Sequence, residues 1–291
     1  MRRYDGEDQD MTLELVGIVL LAALFNACWN AIIKVSGDRL SVMGAVTLVG
    51  SVASLFALPF VEVPDRAAWP YLALTIVLHT GYHFLLPQAY RFGQLGLIYP
   101  LTRGSAPLLV TAASALFVGE SLSTVPLVGI VCLSAGVMSL ALDRSNGMMK
   151  NPKAVLWALI TGASIASYTV VDGVGARMAG SVFGFAVILT IGDGLLTSAI
   201  IAVSRPRSLL SVFRTNGLAC CAGGLMQVGA YWIAVYALAN APMGMVSALR
   251  ETSVLFGALI STFVLREGLG VWRFFAATLV VAGVALMRNR P

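Results

Sequence analysis

Ten apolar runs of about twenty residues follow one another along this chain, with only short polar links between them. They fall at 12–34, 41–60, 68–91, 95–118 and 123–143, then at 152–175, 181–203, 216–238, 242–265 and 269–288. A helix of that length crosses the hydrocarbon of a bilayer, and inside hydrocarbon it satisfies its own backbone donors and acceptors. Composition agrees: 58% of the 291 residues are hydrophobic and 11% are charged, whereas soluble domains carry about 25% charged residues. The first run is too long for a secretion-signal core and carries polar residues at helical spacing, so it is expected to remain as a span. No link is long enough to hold a separate soluble domain. Cys28, Cys132, Cys220 and Cys221 all lie in apolar runs without metal-ligand spacing, and read as small packing residues. The net charge of +5 is scattered over loop ends, not clustered among aromatics, so nucleic acid is not an expected partner.

The chain repeats itself. An offset of 147 residues maps Arg103 onto Arg250, Leu108 onto Leu255, Ser114 onto Ser261, Glu120 onto Glu267 and Leu122 onto Leu269. The same offset maps Ala135-Gly136-Val137 onto Ala282-Gly283-Val284. The most polar link, Asp143 to Pro152, separates a first half, 1–145, from a second, 146–291. Five spans per half is an odd number, so the second copy inserts upside down relative to the first. The expected fold is an all-α membrane protein of ten transmembrane helices, arranged as two inverted five-helix repeats. With ten spans both termini share one face. Six Lys/Arg fall on that side and eleven on the other, which by the positive-inside rule favours termini outside.

The end of each half carries a motif. Phe117-Val118-Gly119-Glu120-Ser121-Leu122 is followed by Gly129 and by Ala135-Gly136-Val137. Leu265-Arg266-Glu267-Gly268-Leu269 is followed by Ala276 and Ala282-Gly283-Val284. With Cys28-Trp29-Asn30-Ala31 and Lys34 in the first run, the chain resembles the EamA-type transporters of the drug/metabolite transporter superfamily. It departs from that pattern at Arg266 and Ala276, where the family usually has Gly. The resemblance implies a ten-helix basket whose first, third and fourth helices in each half line a central cavity. It also implies cytoplasmic termini, against the charge count. The seventh helix would be peripheral, and the small residues of the fifth and tenth would join the halves.

Polar residues inside the runs are the candidate site. In the first run Asn26, Asn30 and Lys34 share one helix face, with Trp29 beside them. In the sixth, Ser164, Tyr168 and Asp172 repeat that spacing. These stripes read as cavity lining or as interhelical hydrogen bonding, and Lys34 and Asp172 as proton or ion-pair sites or as snorkelling ends. His79, Tyr82 and His83 cluster in the third run, and Gln227, Tyr231 and Trp232 in the eighth. The His-x3-His pair lacks a carboxylate or thiol near it in sequence, so a polar aromatic wall is favoured over a metal site. Tyr99 and Arg103 in the fourth run are matched by Ser247, Arg250 and Glu251 in the ninth. Pro100 and Pro107 are expected to kink the fourth. An arginine in hydrocarbon is costly, and its planar fork suits a carboxylate or phosphate. The alternative is structural pairing, of Arg250 with Glu251 or of Arg103 with Asp193. Asp193, between Gly192 and Gly194, is also a candidate proton site.

The function read from these features is secondary transport of a small polar metabolite, an amino acid or organic anion, by alternating access. No Gly-x4-Gly-Lys-Ser/Thr pattern is present for nucleotide binding, and no cofactor or metal is expected. Expected partners are the substrate, the lipid bilayer and protons as a coupling ion, with a monomer as the working unit. In a bacterium the location would be the cytoplasmic, inner membrane. The alternatives are a membrane-embedded enzyme, for which only His79 and His83 hint at a centre, or a non-transporting scaffold.

Overall fold

The computed structural model describes residues 11–34, 38–93, 95–142, 151–205, 207–263 and 271–288. The regular structure of those residues is all helix, without a strand. The helices are α1 (Leu13–Lys34), α2 (Arg39–Ala57), α3 (Trp69–Ala89), α4 (Leu95–Ala113), α5 (Thr124–Ser139), α6 (Pro152–Met178), α7 (Val182–Ser204), α8 (Ser208–Asn240), α9 (Met243–Arg250), α10 (Ser253–Phe263) and α11 (Val271–Arg288). Seven spans among them are long and apolar enough to cross a membrane: α1, α2, α4, α6, α7, α8 and the continuous stretch Met243–Ile260. Thr124–Ser139 and Phe274–Arg288 are shorter apolar helices. The polar residues of α3 keep it out of both groups.

Hydroxyls and charges are held inside the bundle, while many large apolar side chains face outward. Ser41, Thr47, Ser51, Ser54, Thr75 and Asp172 are buried, while Phe56, Phe60, Phe117, Val203, Leu218 and Phe274 are exposed. That is the distribution of an integral membrane protein, whose outer face meets lipid tails. Between helices in lipid, close packing and hydroxyl hydrogen bonds replace the hydrophobic drive.

Caps and links place the helices. Asp38 caps α2 through the Ser41 N–H and hydroxyl. Asn151 caps α6, with Pro152 at the first helical position. Ser181 caps α7 onto the Gly184 N–H. Gly119 and Gly180 turn the chain with φ of 78° and 66°, a region that costs an L side chain energy. The links gather at two ends. At one end the Asp65 N–H donates to the Ala179 carbonyl, and Glu120 reaches Arg177 and Met243. At the other end Arg205 binds Asp38, and Asn151 binds the Phe92 carbonyl.

Two expected boundaries differ. The eighth helix starts at Ser208, not near 216, and a non-helical Asn216 (φ −133°, ψ 26°) breaks its first two turns from the rest. The expected ninth span is interrupted between Arg250 and Ser253. There Glu251, Thr252, Val254 and Leu255 N–H groups bond carbonyls three residues back, and the Thr252 hydroxyl takes the Leu249 carbonyl at 2.7 Å. A tightened turn of this kind, built by a hydroxyl competing for the backbone, bends a helix without proline. The fourth, in contrast, runs unbroken through Pro100 and Pro107 and loosens only in a π-helical turn, Ser114–Val118.

The packing is reciprocal between the halves. α5 lies on α11, α2 on α7 and α4 on α9, while α1 packs on α8 as α3 packs on α6, and α4 on α6 as α10 packs on α1. The Ser51 hydroxyl donates to the Ile191 carbonyl at 2.8 Å, and the Ser198 hydroxyl to the Gly44 carbonyl at 3.0 Å. Those two bonds are related by the same 147-residue offset. So are the closest approaches of α5 and α11. A Cβ on Gly283 would fall 2.6 Å from the Gly129 carbonyl, and one on Gly136 would fall 3.0 Å from the Ala276 carbonyl. The small residues therefore sit where the fifth and last helices meet.

Candidate functional site

Helices of both halves enclose a cavity of about 80 Å³. From α1 it takes Asn26, Trp29 and Asn30; from α3 His79, Tyr82 and His83; from α4 Tyr99 and Arg103. α6 adds Tyr168, α8 adds Gln227 and Tyr231, and α9 adds Arg250. These residues are 224 positions apart at the extremes, and the helix faces read from their spacing bring them to one space. Two helices outside the expected lining set contribute as well. α2 supplies Thr47 and Gly50, and α7 supplies Leu189, Thr190, Asp193 and Gly194. The seventh helix is thus part of the wall, not peripheral to it.

Other expected site residues lie behind the wall. Trp232 donates its indole N–H to the Thr190 hydroxyl at 3.2 Å, steadying a lining residue. Ser247 and Glu251 are buried away from the cavity, and Ser164 is half-buried outside it. Asp172 has no exposed surface, so it does not snorkel to the interface. The Lys34 side chain falls outside the described residues, as do Arg266, Glu267, Gly268 and Leu269. On α1, Asn26 organises its own face. Its side-chain oxygen accepts from the Trp29 indole at 3.0 Å, and Asn30 donates to its backbone carbonyl at 2.7 Å.

The arginines, equivalent by sequence, are not equivalent in space. Arg103 Nε lies 3.0 Å from Glu251 Oε2, and Arg103 Nη2 donates to the Ser253 hydroxyl at 3.3 Å. The Nε–H points off the line to the oxygen, so the contact is an ion pair without a full hydrogen bond. Arg250 sits on the tightened turn, with its guanidinium carbon 5.9 Å from the Tyr231 ring centroid. Among the described residues no carboxylate lies within 4 Å of it. Both structural pairings considered from sequence are corrected here: Glu251 pairs with Arg103, not Arg250, and Asp193 does not pair with Arg103. The position matching Glu251 in the first half is Gly104, whose Cα packs on Met138, so the first half offers Arg250 no mirror-image carboxylate.

The acids on α6 and α7 belong to histidines of α3. Asp172 Oδ2 is 3.1 Å from His79 Nε2, and Asp172 also accepts from the Thr75 and Tyr231 hydroxyls. The Tyr231 oxygen lies 2.7 Å from the same His79 Nε2. One turn along, Asp193 accepts from Thr80 at 3.1 Å and from Thr197 at 3.2 Å, with His83 Nδ1 3.7 Å away. Thr75, Thr80, Thr190 and Thr197 were missed in the sequence. A threonine in an apolar run carries no charge or spacing signal, and only its cross-helix bond reveals it.

Fold and site together define an integral membrane protein of packed apolar helices around a charged, aromatic-lined cavity. Residues 152–289 match the EamA-like transporter family, and that match supports kinship with the drug/metabolite transporter superfamily. No curated protein matches the chain. A crystal structure of another protein is similar to it over 94% of this chain and 94% of that one, with a TM-score of 0.72. Sequence identity to it is 18%, so that likeness is one of fold alone.

Proposed function

We propose that this chain is a secondary transporter that moves a small polar metabolite bearing an anionic group, an amino acid or organic anion, by alternating access. The observation that carries the reading is Arg250: a guanidinium in the cavity wall with no carboxylate within 4 Å among the described residues, while its sequence equivalent Arg103 is spent on Glu251. A planar cation in a low-dielectric cavity binds a carboxylate through two parallel N–H donors, and the aromatic walls of Tyr99, Tyr168 and Tyr231 flank the apolar remainder. The two halves, 1–145 and 146–291, are read as inverted repeats that rock about this cavity. The reciprocal helix contacts, the links gathered at two ends and the matched Ser51 and Ser198 bonds support that reading. The working unit is a monomer and, in a bacterium, the location is the cytoplasmic membrane. Uptake by proteoliposomes of a panel of L-amino acids and mono- and dicarboxylates tests it. At least one member should accumulate with wild-type protein and not with Arg250→Ala. If Arg250→Ala transports as well as wild type, the anion-binding role is wrong.

A further inference from the structure

The two arginines and the three membrane-embedded acids do not play the same electrostatic role. Arg103 and Glu251 neutralise each other. Arg250 and Asp172 lie at opposite ends of Tyr231, whose ring faces the guanidinium and whose hydroxyl donates to the carboxylate. Tyr231 has one hydroxyl proton. With that proton on Asp172, the contacts of His79 Nε2 with both oxygens are hydrogen bonds only if Nε2 carries a proton of its own. His79 Nδ1 then remains, on a cavity-lining residue, with no hydrogen-bond partner among the described residues. An added proton has one open position there, and it converts the His79–Asp172 pair from net −1 to neutral.

We propose that the His79–Asp172 pair is the proton-carrying site of transport, and that Tyr231 couples it to the substrate anion at Arg250. The inference rests on the transporter reading above. With the cavity empty, Arg250 offsets the negative pair. A substrate carboxylate neutralises Arg250 and leaves the pair's charge uncompensated in a medium that penalises it, so a proton from water is taken up on His79 Nδ1. Anion and proton enter together, and the loaded cavity gains no net charge. The other groups facing the pair are Tyr168 of α6, its ring tilted against the His79 ring at 4.0 Å, and His83 of α3, whose carboxylate Asp193 of α7 is 3.7 Å away. The His83 pair is the weaker candidate, because Thr197 and Thr80 already occupy the Asp193 oxygen nearest to it and, among the described residues, no single tyrosine touches both that pair and Arg250.

Two measurements test this. In nanodiscs without substrate, imidazole NMR from pH 5 to 9 follows the chain's two histidines, with His79→Gln assigning the signals. His79 should titrate in that range, and Asp172→Asn should lower its midpoint by about one unit or more through loss of the adjacent negative charge. If Asp172→Asn does not insert, Tyr231→Phe replaces it. Removing a donor from the carboxylate should raise the midpoint. In proteoliposomes, an inwardly directed proton gradient, acidic outside, should drive accumulation of a transported panel acid, and His79→Gln should lose that gradient-driven accumulation at least tenfold. A His79 signal fixed from pH 5 to 9, a midpoint indifferent to both variants, or uptake indifferent to the gradient overturns the proposal. If no panel acid is transported while His79 titrates as stated, the substrate reading fails and the proton site stands.

Discussion

Glu120 and Arg177 meet at 2.6 Å at one end of the helix bundle, bringing the close of the first half onto the second. The other Glu120 oxygen accepts the Met243 N–H at 3.0 Å at the start of α9. Arg177 in turn donates to the Leu238 and Ala241 carbonyls, where α8 gives way to α9. A carboxylate at a helix N-terminus and a guanidinium at a helix C-terminus each meet the favourable pole of the helix dipole. Glu120 is buried and Arg177 is nearly so, and removing one strands the other. Glu120→Ala should destabilise the protein by about 3–5 kcal/mol, read as an earlier thermal unfolding transition in detergent. An unchanged transition would mean that water replaces the carboxylate at this end.

Arg103 and Arg250 should separate by phenotype. Arg103→Ala leaves Glu251 charged and buried, and should cost about 3–5 kcal/mol of stability. Glu251→Gln in the same chain should restore much of the melting temperature. Arg250→Ala should abolish uptake with the melting temperature nearly unchanged, and Arg250→Lys should recover part of it, having charge but no fork. If Arg250→Ala melts early and Arg103→Ala does not, the two roles are exchanged.

Which of these features could be read before the structure follows from their chemistry. Arg103, Arg250 and the histidines stand out because a polar group in an apolar run is costly, and the α1 stripe because three residues share one helix face. The partners stayed hidden. Asp172 meets His79 across 93 positions and Glu251 meets Arg103 across 148, and neither distance leaves a periodic trace. The Arg250 turn escaped for another reason: the hydroxyl of Thr252, not a proline, makes it. Gly104 opposite Glu251 was a visible clue to the asymmetry of the two arginines, legible only once the offset is applied to the neighbours of the matched residues.

The glycines of the bundle should divide sharply. Gly283→Leu drives a side chain into the Gly129 backbone, an obstacle that cannot swing away, and should cost about 1–3 kcal/mol or more. Gly81, on the exposed face of α3, has nothing within 4 Å of where a Cβ would lie. Gly81→Ala should therefore be neutral or gain up to about 1 kcal/mol from helix propensity. Parallel melting curves of the two variants check this. Equal destabilisation would mean that the α5–α11 contact is looser than the backbone distances require.

Asp38 supplies the acid-side prediction. Its partial burial favours the neutral acid, but the Ser41 hydroxyl and N–H and the Arg205 guanidinium outweigh it and hold the carboxyl below its usual range. A lowered folded-state value means that its contribution is present at neutral pH and fades as pH falls through that value. Both partners are nearly half exposed, so the ion pair itself is weak and salt-screened. Asp38→Ala should cost about 1 kcal/mol at pH 7, mainly as a lost helix cap. Unfolding curves of wild type and variant should converge below the carboxylate range. A gap that stays constant into acid would show that the ionised carboxylate is not what caps α2.

The Gly129–Gly283 seam has a consequence for how such a molecule can be made. Each half ends in a helix whose small-residue face is covered by the last helix of the other half, and the covering surfaces match position for position. The contact is therefore made twice, at matching positions of α5 and α11. Two separately expressed polypeptides, severed between Leu142 and Asn151, are expected to co-purify through these surfaces. Covalent fusion adds proximity and fixed one-to-one stoichiometry.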